Sequence, residues 1–195
     1  MPNWCDNQIT ITGPNSVIDK IEKIVKDEDS KNGLLNYFHP MPAELRDTTA
    51  DGSKDKKMIK KYGHSDWYSW ACENWSTKWD ISEFYGVDRQ YLTEQSEGES
   101  VITFGFSSAW APPIGAYEKF LADHEDCSLR AFYYEGGCDF MGIWDNFDDN
   151  EYNPSDYKSD DAFWDKGIGK QLDEDFAITE SMSQWEEEQK EEESA

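Results

Sequence analysis

"WCDNQITITGPNSVIDKIEKIV", Trp4 to Val25, decides the fold. Its first ten residues alternate apolar and polar side chains and stop at Gly13, the period of a half-buried strand. The period then lengthens. Val17, Ile18, Ile21, Ile24 and Val25 share one face of a helical repeat, with Pro14 and Asn15 near its start. A strand that runs straight into an amphipathic helix opens an α+β domain.

Downstream, "NGLLNYFHPMPAEL" carries two prolines among aromatics and reads as a connector that contributes to the core. "RDTTADGSKDKKMIKK", Arg46 to Lys61, is polar and locally basic, an exposed loop or insertion. In "SDWYSWACENWSTKWD" Trp67, Trp70 and Trp75 stand broadly at helical spacing, with Ser65 or Asp66 as a cap. "RQYLTEQSEGESVITFGFSSAW" predicts a hairpin turning at "SEGE", where Gly98 can take a positive φ. "PPIGAYEKFLADHED" predicts a second helix begun by prolines, with Ile114, Tyr117, Phe120 and Leu121 inward. "CSLRAFYYEGGCDFMGIWDN" predicts two strands joined at Gly136-Gly137. The order is β, α, a helical insertion at about 28–88, β, β, α, β, β.

The 195 residues suit one domain with an appendage. The domain is expected over 1–146 and an acidic, aromatic-containing extension over 147–195, frayed at its end. Only 37% of residues are hydrophobic, but nine are tryptophan, and large rings can fill a core that is poor in aliphatics.

The formal charge is −24. Residues 145–195 hold 18 acids against 4 lysines, a net of −14. This opposes direct binding to a phosphate backbone or an anionic membrane and favours a partner with a basic surface. No run of 18 apolar residues and no leader-like stretch are seen, so a membrane-spanning or secreted protein is not expected. Cys5, Cys72, Cys127 and Cys138 are widely spaced, which fits reduced thiols in a cytoplasmic protein. His39, His64 and His124 show no metal-ligand spacing, and no cofactor or metal is expected.

No catalytic residues are expected either. Cys5 and Cys72 lack a nearby histidine in sequence. Asp145 to Asp156 faintly matches a calcium loop, but Phe147 and Asn150 occupy positions that need a ligand and a glycine. An RNA platform on "VITFGF" and "RAFYYE" would need basic residues around the rings, and only Arg89 and Arg130 lie near.

Two candidate sites remain. The first is "CENWSTKWD" with its surroundings: Trp4, Glu73, Asn74, Trp75, Lys78, Trp79, Asp80 and Trp110. On a continuous helix, Trp75 and Trp79 share a face. The leading expectation is a buried knot in which Trp4, Trp75, Trp79 and Trp110 supply core volume and lock the inserted helix to the first strand. The alternative is a pocket or partner surface, in which Lys78 approaches a phosphate and a tryptophan stacks on a base. The second site is the extension, where Asp148, Asp149, Glu151, Asp160 and Asp161 supply charge. Tyr152, Tyr157, Phe163, Trp164 and Trp185 would supply the desolvated anchors.

Four blocks in order, "MPNWCDNQITITG", "SWACENWSTKWD", "FSSAWAPPIGAYEKF" and "YYEGGCDFMGIW", resemble the YubB-type ferredoxin-like proteins of phages and plasmids. The resemblance covers roughly residues 1–146 and implies a ferredoxin-like antiparallel sheet with two helices on one face. It also implies a mobile-element origin and a bacterial cytoplasmic setting, and brings no catalytic residues. The expected function is a non-enzymatic module that binds and inhibits a host protein, such as a nucleic-acid-handling or defence enzyme, through an acidic, DNA-mimic-like surface. The alternatives are a protein that sequesters a nucleotide or small molecule, and a structural phage protein.

Overall fold

The computed structural model describes residues 3–27, 33–52, 54–92 and 98–193. The expected strand and helix form in sequence. Strand β1 (Trp4–Pro14) leads into helix α1 (Asn15–Lys26), whose Val17, Ile18, Ile21 and Val25 are buried. Four short helices follow: α2 (Leu34–Phe38), α3 (Ala43–Arg46), α4 (Lys56–Tyr62) and α5 (Trp67–Asn74). Strands β2 (Tyr85–Tyr91) and β3 (Glu99–Ala109) pair antiparallel as the expected hairpin. The first half of its "SEGE" turn lies outside the described residues. Helix α6 (Ile114–Asp123) and strands β4 (Ser128–Glu135) and β5 (Phe140–Asp145) complete the expected order.

The chain is α+β, with a six-stranded sheet in the order β2-β3-β1-β4-β5-β6, every neighbouring pair antiparallel. The sixth strand, β6 (Asp148–Tyr152), is formed by the start of the expected acidic extension, which excludes a calcium loop there. The sequence is misleading here because "DDNEY" has no alternation. It lies at the sheet's edge, where charged side chains can face water on both sides and deter further pairing. The expected boundary at 146 therefore falls inside the β5–β6 hairpin.

Register explains how the two faces differ. Ile9 lies opposite Phe104 and Ala131, and Ile11 opposite Ile102 and Leu129. With period two, these side chains and Cys5, Phe106 and Tyr133 all project onto the face covered by α1 and α6. There Phe38 of α2 meets Phe120 of α6 at 4.4 Å, and Tyr117 meets Trp144 at 5.5 Å.

The opposite face has a second cluster of Met141, Trp164, Leu172 and Ile178, ringed by Phe132, Tyr134, Tyr152, Tyr157, Phe163 and Phe176. Two short 3-10 turns (Pro154–Asp156 and Ala162–Asp165), α7 (Gly167–Phe176) and α8 (Ile178–Glu193) form this layer. Gly169 lets α7 approach closely, since a Cβ there would collide with the Phe163 carbonyl. The extension is thus a folded layer with its own small core.

Candidate functional site

Helix α5 is capped by Asp66, which accepts from the Ser69 N–H at 2.8 Å, and it ends at Asn74. Ser76 then takes a left-handed φ of 65°, so Trp75 and Trp79 do not share a helix face as the spacing implied. A chain reversal separates them. Trp75 turns inward, packs edge-on against Trp70 at 5.4 Å and donates its indole N–H to the His39 carbonyl at 2.8 Å. Asn74 donates to the Trp70 carbonyl, and buried Thr77 donates to the Ala109 carbonyl at 2.7 Å, tying this turn to the end of β3. Asp80 accepts from the N–H groups of Leu35, Asn36 and Ile81, and so fixes the start of α2.

The other three tryptophans correct the core-volume expectation. Trp4, Trp79 and Trp110 are 52, 38 and 39% exposed, and only Trp75 of the four is buried. Trp4 and Trp79 sit side by side with ring centres 6.0 Å apart. Behind them Lys78 Nζ lies 4.3 Å from the Trp79 ring, 5.2 Å from Trp110 and 5.9 Å from Tyr68. Trp110 holds a left-handed φ of 75°, rare for a bulky residue, while its N–H donates to the Asn3 carbonyl. Such a backbone costs on the order of 1–3 kcal/mol, and here it turns a large ring outward.

Beside this cluster runs an open groove of about 660 Å³, walled by Trp4, Trp79, Phe84 and Tyr85 and floored by Ser107 and Ala109. Of the eight expected residues, Trp4, Trp79 and Asp80 line it. Asn74 and Trp75 serve the turn, Lys78 and Trp110 stand behind the wall, and Glu73 faces solvent near His64. Tyr68, Phe84, Tyr85 and Ser107 were missed. Gly105 in "FGF" is the available signal for Tyr85, because that ring occupies the space a Cβ would need.

The acidic site divides in two. Asp148, Asp149, Glu151, Asp160 and Asp161 are exposed, although Asp149 accepts from the Tyr133 hydroxyl and Asp161 caps a 3-10 turn. The rings were expected to be anchors for a partner, and this is corrected. Trp164 is buried with its N–H on the Lys158 carbonyl, and Tyr157 stacks on Phe163 at 4.0 Å. Aromatic surface next to a sheet is removed from water wherever the chain can fold back, and here it does. Trp185 alone of this set stays largely exposed.

The remaining chemistry is sparse. Burial pushes the Cys5 thiol far above its ordinary range, which disfavours a thiolate nucleophile. Phe104 and Phe106 face the helices, while Phe132 and Tyr134 pack half-buried against the C-terminal layer, so these strands present no open row of rings for RNA bases. Among the described residues no group of three or more His, Cys, Asp or Glu is placed to hold a metal ion, and no helix is long and apolar enough to cross a membrane.

No family model matches the chain, and no curated protein matches it. A solved structure, protein api92 from Yersinia pseudotuberculosis, of the family DUF1281, is similar over 78% of this chain and 99% of that chain. The identity is 11% and the TM-score 0.44.

Proposed function

We propose that the protein is a non-enzymatic binding module that docks a basic protein partner on the exposed face formed by Trp4, Tyr68, Lys78, Trp79 and Trp110. The observation that carries this reading is the grouping of three partly exposed large rings around one lysine, with Trp4 beside Trp79, on a chain of charge −24. Tryptophan and tyrosine anchors dominate binding energy at interfaces, and a partner's arginine can stack on such rings. The carboxylates of β6 and the C-terminal layer steer the partner, and do so without anchors of their own. The mobile-element origin and the host-inhibitor role belong to the same proposal. A ferredoxin-like fold is part of the reading, and what supports that part is that β1, α1, β2, β3, α6 and β4 follow the chain order of such a unit, with the strand order β2-β3-β1-β4.

The test is titration of an arginine-rich peptide at several salt concentrations. Binding that weakens steeply with salt, and about tenfold further in Trp79→Ala or Trp110→Ala, is expected. Binding unaffected by either substitution would overturn the docking face.

The groove between Trp4, Trp79 and Tyr85 favours a second reading, a planar small molecule or nucleotide held between rings. Saturable quenching of tryptophan fluorescence by one member of a nucleotide panel, with no response to the peptide, would select it.

A further inference from the structure

The C-terminal layer covers β4 to β6 but leaves much of the same sheet face open at β1 and β3. At this boundary lies a cleft of about 450 Å³, which shares no lining residue with the groove beside the tryptophan cluster. Gln8, Thr10 and Thr103 line it from the sheet, Phe132 from β4, and Gln171 and Asp175 from α7. The Thr10 and Thr103 hydroxyls are 3.2 Å apart.

Asp175 is the unexplained group. Its Oδ2 is enclosed and has no hydrogen-bond partner among the described residues, while Oδ1 is held only by the Gln171 amide at 3.3 Å. Burial pushes this carboxyl above the usual range. An enclosed carboxyl oxygen without a donor weakens a fold, so its presence beside a cleft marks a site rather than a structural contact. Gln171 is exposed and one turn away, so its side chain can swing aside and free Oδ1 for a ligand.

The lining also fixes the ligand's chemistry. Arg130, the cation of the cleft, already makes two hydrogen bonds to Asp145, which leaves no free positive charge there for an anion. Hydroxyl and amide side chains both donate and accept, which matches a ligand whose groups do the same. We propose that the cleft binds a neutral polyhydroxyl ring, a free sugar or the ribose of a nucleoside, with Asp175 accepting from adjacent hydroxyls. Carboxylates hold ribose hydroxyls in this way in dinucleotide-binding folds. The cleft's lining includes none of the residues of the protein-docking face.

The experiment is an NMR titration that follows the Thr10 and Thr103 methyl groups of the full chain with D-ribose, D-glucose and adenosine. Saturable shifts are expected, weakened about tenfold in Asp175→Asn, the equivalent of roughly one charge-assisted hydrogen bond. The same variant should melt a few degrees higher, because the unpaired carboxyl is gone. Response to the free sugars identifies a sugar site, and response to adenosine alone a nucleoside site. Either supports the proposal. If Asp175→Asn does not fold, Thr103→Val must weaken binding instead. The absence of saturable shifts with all three probes overturns the proposal, as does binding indifferent to these substitutions. Saturation by ethanolamine in place of the sugars overturns the ligand class.

Discussion

The two faces of the sheet are built from different materials. The face under α1 and α6 has a continuous apolar layer drawn from strand alternation and two amphipathic helices. The other is covered only over β4 to β6, by a strongly acidic segment whose few rings and aliphatics make a small core. Charge therefore does not decide order in this chain. A segment whose charge by itself points to disorder folds where a neighbouring sheet offers Phe132, Tyr134 and Met141 for its rings to cover.

Removing the second face should have the largest effect. A chain ending at Asn146 loses β6 and uncovers Phe132, Tyr134 and Met141. It is expected to aggregate or to lose its fixed side-chain packing, as read by gel filtration and near-UV circular dichroism. A monomeric, well-packed truncated chain would break the comparison by showing that the first face is self-sufficient.

Point substitutions sharpen it. Phe120→Ala on the helix face should cost about 3–5 kcal/mol in urea unfolding, and Trp164→Ala on the other face about 3 kcal/mol, where the smaller cluster can collapse more easily. Both layers grip β4 and β5, so each variant should still unfold in a single transition. Separate transitions would mean that the faces are separate cooperative units.

The helix face also carries a titratable clamp. Arg89, nearly buried, pairs with Glu22 at 2.5 Å and Asp19 at 2.7 Å. Hydrogen bonds from Lys26 and then Arg89 hold the Glu22 carboxyl below its usual value of 4.5. A carboxyl lowered in the folded state contributes stability that is complete above pH 4.5 and lost as pH falls through its depressed value. Glu22→Gln should remove roughly 1 kcal/mol at pH 7 and flatten the acid limb of stability against pH.

The smallest effect is expected at the end of α7. Ala177 closes that helix with a left-handed φ of 51°. Ala177→Gly should raise stability by up to about 1 kcal/mol, measured as a shift in the urea midpoint. No gain would mean that this layer draws little stability from α7's terminus.

What the sequence determined by itself was whatever a local period encodes. β1, α1, the β2–β3 hairpin, α6 and the β4–β5 pair all follow from alternation, helical spacing and turn residues. β6 was illegible because an edge strand has no face that must be apolar. The candidate site was legible only in part. Composition located the tryptophans but could not say which way they faced. That choice rests on two left-handed residues, Ser76 and Trp110, and on whether a ring finds an apolar neighbour across the fold. Trp75 and Trp164 find one, and Trp4, Trp79 and Trp110 stay at the surface. Burial is a property of pairs of distant residues, so only the tertiary structure could sort the anchors from the core.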